Sequence, residues 1–182
     1  SQTAVGYSNN TYSITWDGTA KESNYTVSET VGILTVTENE EEIVVTTTGG
    51  TFTYDGQAHG ATVEVSDLPT GYTLDTATSS ATATDVTTTA VTATCDTLVI
   101  KNAAGEDVTS KLNITYVDGT IVVNPATLTV TTPTASKVYD GTALTAEGTI
   151  SGFVNSETAS FATTGSQTAV GYSNNTYSIT WD

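Results

Sequence analysis

Residues 105–130 read GEDVTSKLNITYVDGTIVVNPATLTV, and this stretch decides the fold class. Ile121 and Val123 fall on one face of TIVVNP and alternate with polar or outward positions, which is the period-2 signature of a half-buried strand. Asp118-Gly119 ahead of it is turn chemistry, because Gly tolerates positive φ and Asp accepts hydrogen bonds from its own turn. The one candidate helix, residues 101–112 (KNAAGEDVTSKL), is interrupted by Gly105 and reads as a loop.

The same alternation runs outward in both directions. Tyr12, Ile14 and Trp16 share a face of TYSITWD, Leu34 and Val36 one of ILTVTE, and Val91, Ala93 and Cys95 one of AVTATCDTLVI. Thr makes up roughly a quarter of the chain, Met is absent, and Pro numbers three. Thr is β-branched and sits well on the solvent face of a strand, so composition and pattern agree on an all-β protein. Short strands separated by turns every eight to twelve residues or so point to β-sandwiches.

Net charge excludes several function classes. The chain carries four Lys and no Arg against twenty acidic residues, for a net charge of −16. Nucleic acids and anionic membranes are bound through cations, so neither is an expected partner. A phosphate-handling site would lack the planar fork donor it needs. No stretch approaches a membrane span, and no signal peptide opens the sequence, so a targeting signal or anchor is expected outside it.

An internal repeat sets the organisation. Residues 1–17, SQTAVGYSNNTYSITWD, recur unchanged at residues 166–182. A weaker repeat lies inside that period. Tyr54-Asp55-Gly56 matches Tyr139-Asp140-Gly141 at a shift of 85 residues, Ser66 matches Ser151, and Ile43 and Val45 match Leu128 and Val130. Asn24 to Leu34 likewise resembles Asn113 to Ile121, with a two-residue adjustment. The expected domains are therefore residues 1–38, the back part of a preceding β-sandwich; 39–126, a complete one; and 127–182, the front of the next. The core expected for the complete domain is Ile43, Val45, Val99, Ile121 and Val123.

KVYDGTALT, FTYDGQAHGA, NYTVSETVGILTVTE and the opening stretch together resemble the MBG or YDG immunoglobulin-like repeats of bacterial cell-surface adhesins. The resemblance covers nearly the whole chain. It implies tandem immunoglobulin-like β-sandwich repeats in an elongated, extracellular stalk on the bacterial surface, anchored to the cell wall through other regions and projecting a distal binding part. Short linkers near Glu38 and Ala126 agree with elongation, since they leave neighbouring domains little room to fold back. The alternative function is a module that binds host glycan or protein.

Residues that could carry chemistry are few. His59 and Cys95 are the only imidazole and thiol. Cys95 lies on the apolar parity of its strand, and no helix N-terminus or third orienting group is in view, so an inert thiol is expected and no catalytic residue is assigned. No cofactor or metal is expected. Glu38, Glu40, Glu41 and Glu42 at a domain junction could supply oxygen ligands to calcium, but the EF-hand spacing is absent and a linker charge run is ordinarily solvated. An internal amide from Lys101, Lys111 or Lys137 would replace disulfides, yet Phe52 stands where the other module has Lys137. The Asn-x-Ser/Thr sequons at Asn9, Asn24, Asn113 and Asn174 arise readily in so Thr-rich a chain.

The expected partners are adjoining repeats of the same protein. Residues 127–182 need a continuation equivalent to residues 18–38, and residues 1–17 compete with residues 166–182 for that continuation. Either a continuous array completes each half, or separate chains complete each other head to tail by strand addition.

Overall fold

The computed structural model describes residues 1–181; Asp182, the last residue of the second seventeen-residue copy, lies outside the described residues. The chain is nearly all β, with 3% of residues helical and 39% in strands arranged as several small sheets. The helical residues are two single 3-10 turns, Glu22–Asn24 and Thr109–Lys111. No helix among the described residues is long and apolar enough to cross a membrane.

Backbone contacts divide the chain into two compact units. Residues 1–44, 65–76 and 99–115 form the first, and residues 45–64, 77–98 and 116–182 the second.

The strands follow in chain order. Strand β1 (Gly6–Asn9) pairs antiparallel with β2 (Ile33–Val36), with Gly6 opposite Val36 and Asn9 opposite Ile33. Next come β3 (Glu42–Thr48), β4 (Gly50–Thr53), β5 (His59–Gly60) and β6 (Thr62–Val65). Then follow β7 (Tyr72–Thr78), β8 (Thr82–Ala83), β9 (Val91–Ala93), β10 (Thr97–Asn102), β11 (Asn113–Val117) and β12 (Gly119–Asn124). The last four are β13 (Thr129–Thr131), β14 (Thr149–Ser151), β15 (Ser160–Thr163) and β16 (Tyr177–Thr180). The two three-stranded sheets are ordered β11-β3-β6 and β4-β12-β9; the pairs are β10-β7, β5-β8, β13-β14 and β15-β16.

Strand β12 is central. It runs parallel to β4, with Ile121 opposite Gly50 and Val123 opposite Phe52, and antiparallel to β9, with Ile121 opposite Val91. In the second unit Val45, Ala93, Ile121 and Val123 are buried; in the first, Ile43, Ile100 and Val108 are. Each fully buried Ile or Val contributes about 1.5–3 kcal/mol relative to exposure.

Four of the five expected core residues are buried. Val99 is only half-buried, and its neighbour Ile100 takes the core position. The reason is a break in AVTATCDTLVI. The Asp96 carboxylate accepts from the Ser80 amide at 2.6 Å and the Ser80 hydroxyl at 2.5 Å, ending β9 before β10 starts. Facing phase changes across that break, so the parity of Val91, Ala93 and Cys95 does not carry through to Val99.

Asp118-Gly119 is a second correction. Gly119 does not take positive φ; it opens β12 directly. Glycine is needed there for close approach, since a Cβ would meet the Thr47 carbonyl oxygen at 2.5 Å and the Gly49 nitrogen at 2.8 Å. Gly56 and Gly141 do adopt positive φ, 76° and 77°, as their turns require. Of residues 101–112, Lys101 and Asn102 end β10 and the rest form a loop, bridged back from Asp107 to Lys101, with one 3-10 turn inside it.

Candidate functional site: an open groove beside the second Tyr-Asp-Gly turn

The Asp140 turn is built as its sequence dictates. Asp140 Oδ1 accepts from the Thr142 amide at 2.9 Å and from its hydroxyl at 2.8 Å, and Gly141 supplies the left-handed step. Lys137 reaches across the turn. Its Nζ donates to Asp140 Oδ1 at 2.8 Å, to Thr142 Oγ1 at 2.6 Å and to the Ala143 carbonyl at 3.4 Å, which uses all three ammonium donors. The Lys137 ammonium, with help from Thr142, holds the Asp140 carboxyl below the usual carboxylate value.

Beside this turn lies an open-sided groove of about 470 Å³. One wall comes from residues 132–137 with Tyr139, and the other from residues 165–175. Asn175 ties the walls together, donating from Nδ2 to the Pro133 carbonyl at 3.1 Å and the Ala146 carbonyl at 3.0 Å. Leu144 and Gln167 form a bridge at the end of the groove. Val170 and Tyr172 on one wall are 87% and 96% exposed, and Tyr139 on the other is 65% exposed. Between β13 and β14 one wall carries no strand, and residues 171–174 carry none on the other. The groove therefore offers apolar side chains and unpaired backbone, and its lining residues include neither cysteine nor histidine.

The first Tyr-Asp-Gly turn is locked differently. Asp55 Oδ1 accepts from the Gln57 amide at 2.9 Å and lies 3.1 Å from His59 Nε2. The Gln57 amide, and then His59, hold the Asp55 carboxyl below its ordinary value. Phe52 occupies the position of Lys137 and stacks on the His59 ring. The Tyr54 hydroxyl donates to the Glu157 carboxylate.

The remaining sequence candidates are placed as follows. Cys95 is half-buried and its Sγ donates to the Thr97 carbonyl at 3.4 Å. Lys101 pairs with Asp75 at 2.7 Å, in the open, and Lys111 is exposed. Both ion pairs, Lys101–Asp75 and Lys137–Asp140, are partly exposed, without the buried acid that an amide crosslink requires. In the acidic run, Glu42 accepts from the Thr115 hydroxyl at 2.5 Å and Asn39 accepts from the Glu41 amide at 2.8 Å. Among the described residues, no three or more His, Cys, Asp or Glu are grouped to hold a metal ion. Sequence reasoning did not single out the groove; its signal was the exact recurrence of the stretch that forms one wall.

No family model matches the chain, and no curated protein or solved structure matches it either.

Proposed function

We propose that the chain is a structural stalk or spacer repeat of a bacterial surface adhesin or extracellular fibre, similar to the MBG or YDG domains, holding a distal binding region away from the cell wall. In this reading tandem immunoglobulin-like β-sandwiches follow one another in an elongated array. The single observation that carries it is the unchanged recurrence of residues 1–17 at residues 166–182. Seventeen matches in a row are what a tandem array of near-identical units leaves in a sequence. A nearly all-β chain with two differently locked Tyr-Asp-Gly turns supports the same reading. Sparse cations suit it as well, since like-charged rods resist clumping.

The test is to express one, two and four periods in series and measure length by scattering and electron microscopy. Contour length that grows in proportion to the number of periods is expected. Collapse into a globule of constant diameter would overturn the stalk.

One observation favours a second reading as a ligand-binding module: Tyr139 and Tyr172 face solvent across the groove, as aromatic platforms for sugars do. Binding to a panel of host glycans or matrix proteins, lost in both Tyr139→Ala and Tyr172→Ala, would favour it over the stalk.

A further inference from the structure

We infer that the groove is the slot for one β-strand, Ile33–Val36 of a following copy in which residues 166–182 stand in place of residues 1–17, which adds between residues 171–174 and residues 135–138. The inference rests on the array reading above. It gives that reading a register.

The first wall follows from identity. Residues 171–174 have the same sequence as β1, and β1 pairs antiparallel with Ile33–Val36. Yet residues 171–174 pair with no strand, and Tyr172 is 96% exposed. The back half of the repeat shows the converse. Residues 177–180 form β16 and pair with β15, placing Ile179 opposite Phe161, whereas the matching residues 12–15 form no strand. Each copy of one sequence thus uses a different half, and the two pairings involve different residues. One stretch can hold both partners at once.

The second wall follows from β12. Gly32 and Gly119 begin matching stretches, GILTV and GTIVV, so β2 corresponds to β12. Strand β12 lies between an antiparallel neighbour, β9, and a parallel one, β4. The 85-residue shift carries β4 onto residues 135–138, which form the opposite wall or border it. The same shift carries the β5 position His59, paired with Ala83, onto Leu144, bridged to Gln167. The groove therefore offers the β1 sequence, the antiparallel neighbour of β2, on one wall and the counterpart of β4, the parallel neighbour of β12, on the other. Transferred registers put Leu34 beside Ala135 and Val36 beside Lys137 on one side, and Tyr172 opposite Thr35 on the other. Leu34 and Val36 are the half-buried face of β2, the parity at which Ile121 and Val123 are buried in β12.

An independent observation lies at the end of the repeat. Trp16 is half-buried and stacks on Tyr25, ring centroids 5.8 Å apart, while its counterpart Trp181 is 63% exposed. The segment that brings Ile33–Val36 also brings a Tyr25 for Trp181.

The experiment uses the full chain continued through a second copy, so that residues 18–182 follow directly on Asp182. Linking makes strand addition intramolecular and removes the concentration limit. Amide exchange at Lys137 and Ser173, the counterparts of positions whose N–H groups face the central strand, should slow by about a hundredfold relative to the single chain, as these N–H groups enter a ladder. In the same chain with Cys95→Ser, Tyr172→Cys and Thr35→Cys of the following copy should crosslink under mild oxidation. The Asn10–Gly32 backbone bond makes Tyr7 and Thr35 a close, non-hydrogen-bonded pair, and Tyr172 inherits that geometry. Ser173→Cys with the same partner should not crosslink, because a one-residue slip turns the side chain to the other face. Exchange as fast as in the single chain, or equal crosslinking from both positions, overturns the inference. Length that grows per period while the groove amides stay fast leaves the stalk standing and removes the strand; a crosslink without growth does the reverse.

Discussion

The Phe52 ring lies 4.1 Å from the His59 imidazole, centroid to centroid, with 11° between their planes, and the imidazole in turn faces Asp55. In the matching turn Lys137 binds Asp140 directly and Leu144 takes the place of His59. The same Tyr-Asp-Gly geometry is thus held once by stacking and once by an ion pair.

The two locks should respond differently to substitution. Phe52→Ala removes a half-buried aromatic body and its stacking partner, and should cost about 2 kcal/mol by denaturant unfolding. Lys137→Ala removes a pair that is open to solvent, so its effect should be smaller and should vanish in high salt. Equal losses from both, unaffected by salt, would mean that the locks do not work in these ways.

Stability should fall in acid. The carboxyls of Asp55, Asp75, Asp96, Asp107 and Asp140 are held below the ordinary 3.8, chiefly by the Gln57 amide, the Lys101 ammonium, the Ser80 hydroxyl, the Thr109 hydroxyl and the Lys137 ammonium respectively. A carboxyl depressed in the folded state contributes stability that is present above its unfolded value and is lost as pH falls through its folded one. Tm should therefore be flat from neutral pH down to about 5 and decline below about 4. A Tm that rises on acidification through that range would contradict these assignments.

Close approach at β12 should be unforgiving. A Cβ on Gly49 would stand 2.0 Å from the Thr120 carbonyl oxygen, and one on Gly119 2.5 Å from that of Thr47. Both obstacles are backbone, so neither can swing aside. Gly49→Ala and Gly119→Ala should each reduce the yield of folded protein sharply, whereas Gly105→Ala, with open space at its Cβ, should cost only the strain of its positive φ, about 1 kcal/mol. Limited proteolysis reads the difference.

Alternation made the all-β class and most of the core legible, because the buried positions of β3 and β12 keep one parity from end to end. Val99 escaped because parity passes unchanged through a sequence window, while a side-chain cap at Asp96 resets it in space. Gly119 was legible as special, though for the wrong reason, since a sequence marks a glycine without marking what approaches it. The groove was hidden more deeply. Tyr7 and Tyr172 sit in identical stretches, so only their pairing partners distinguish the strand from the open wall.

The acidic run from Glu38 to Glu42 should behave as a solvated stretch of charge. With Glu42 taken by Thr115 and no grouped ligands among the described residues, millimolar calcium followed by excess chelator should leave Tm unchanged. A chelator-reversible rise in Tm would place a cation at Glu38 to Glu42 after all.

Tyr54 and the loop around Asn155 offer the sharpest alkaline test. The Tyr54 hydroxyl donates to the Glu157 carboxylate, and that bond is the main reason the phenol is held above its ordinary 10.0. Nearby, Asn155 and Ser156 adopt left-handed backbone at φ of 50° and 61°, and a Cβ on Gly56 would come 2.4 Å from Asn155 Cβ. A phenol raised in the folded state contributes stability that is complete below its unfolded value and is lost as pH rises through its folded one. Wild type should therefore lose this contribution only above pH 10.0. Tyr54→Phe removes the bond at every pH, so its deficit should be constant at neutral pH and should narrow in alkali as wild type loses the same interaction. Gly56→Ala adds a clash and an unfavourable φ, and its deficit should not narrow. Ultraviolet titration of the tyrosines alongside thermal melts separates the two, and parallel curves for both variants across that range would show that the Tyr54–Glu157 bond does not stabilise the fold.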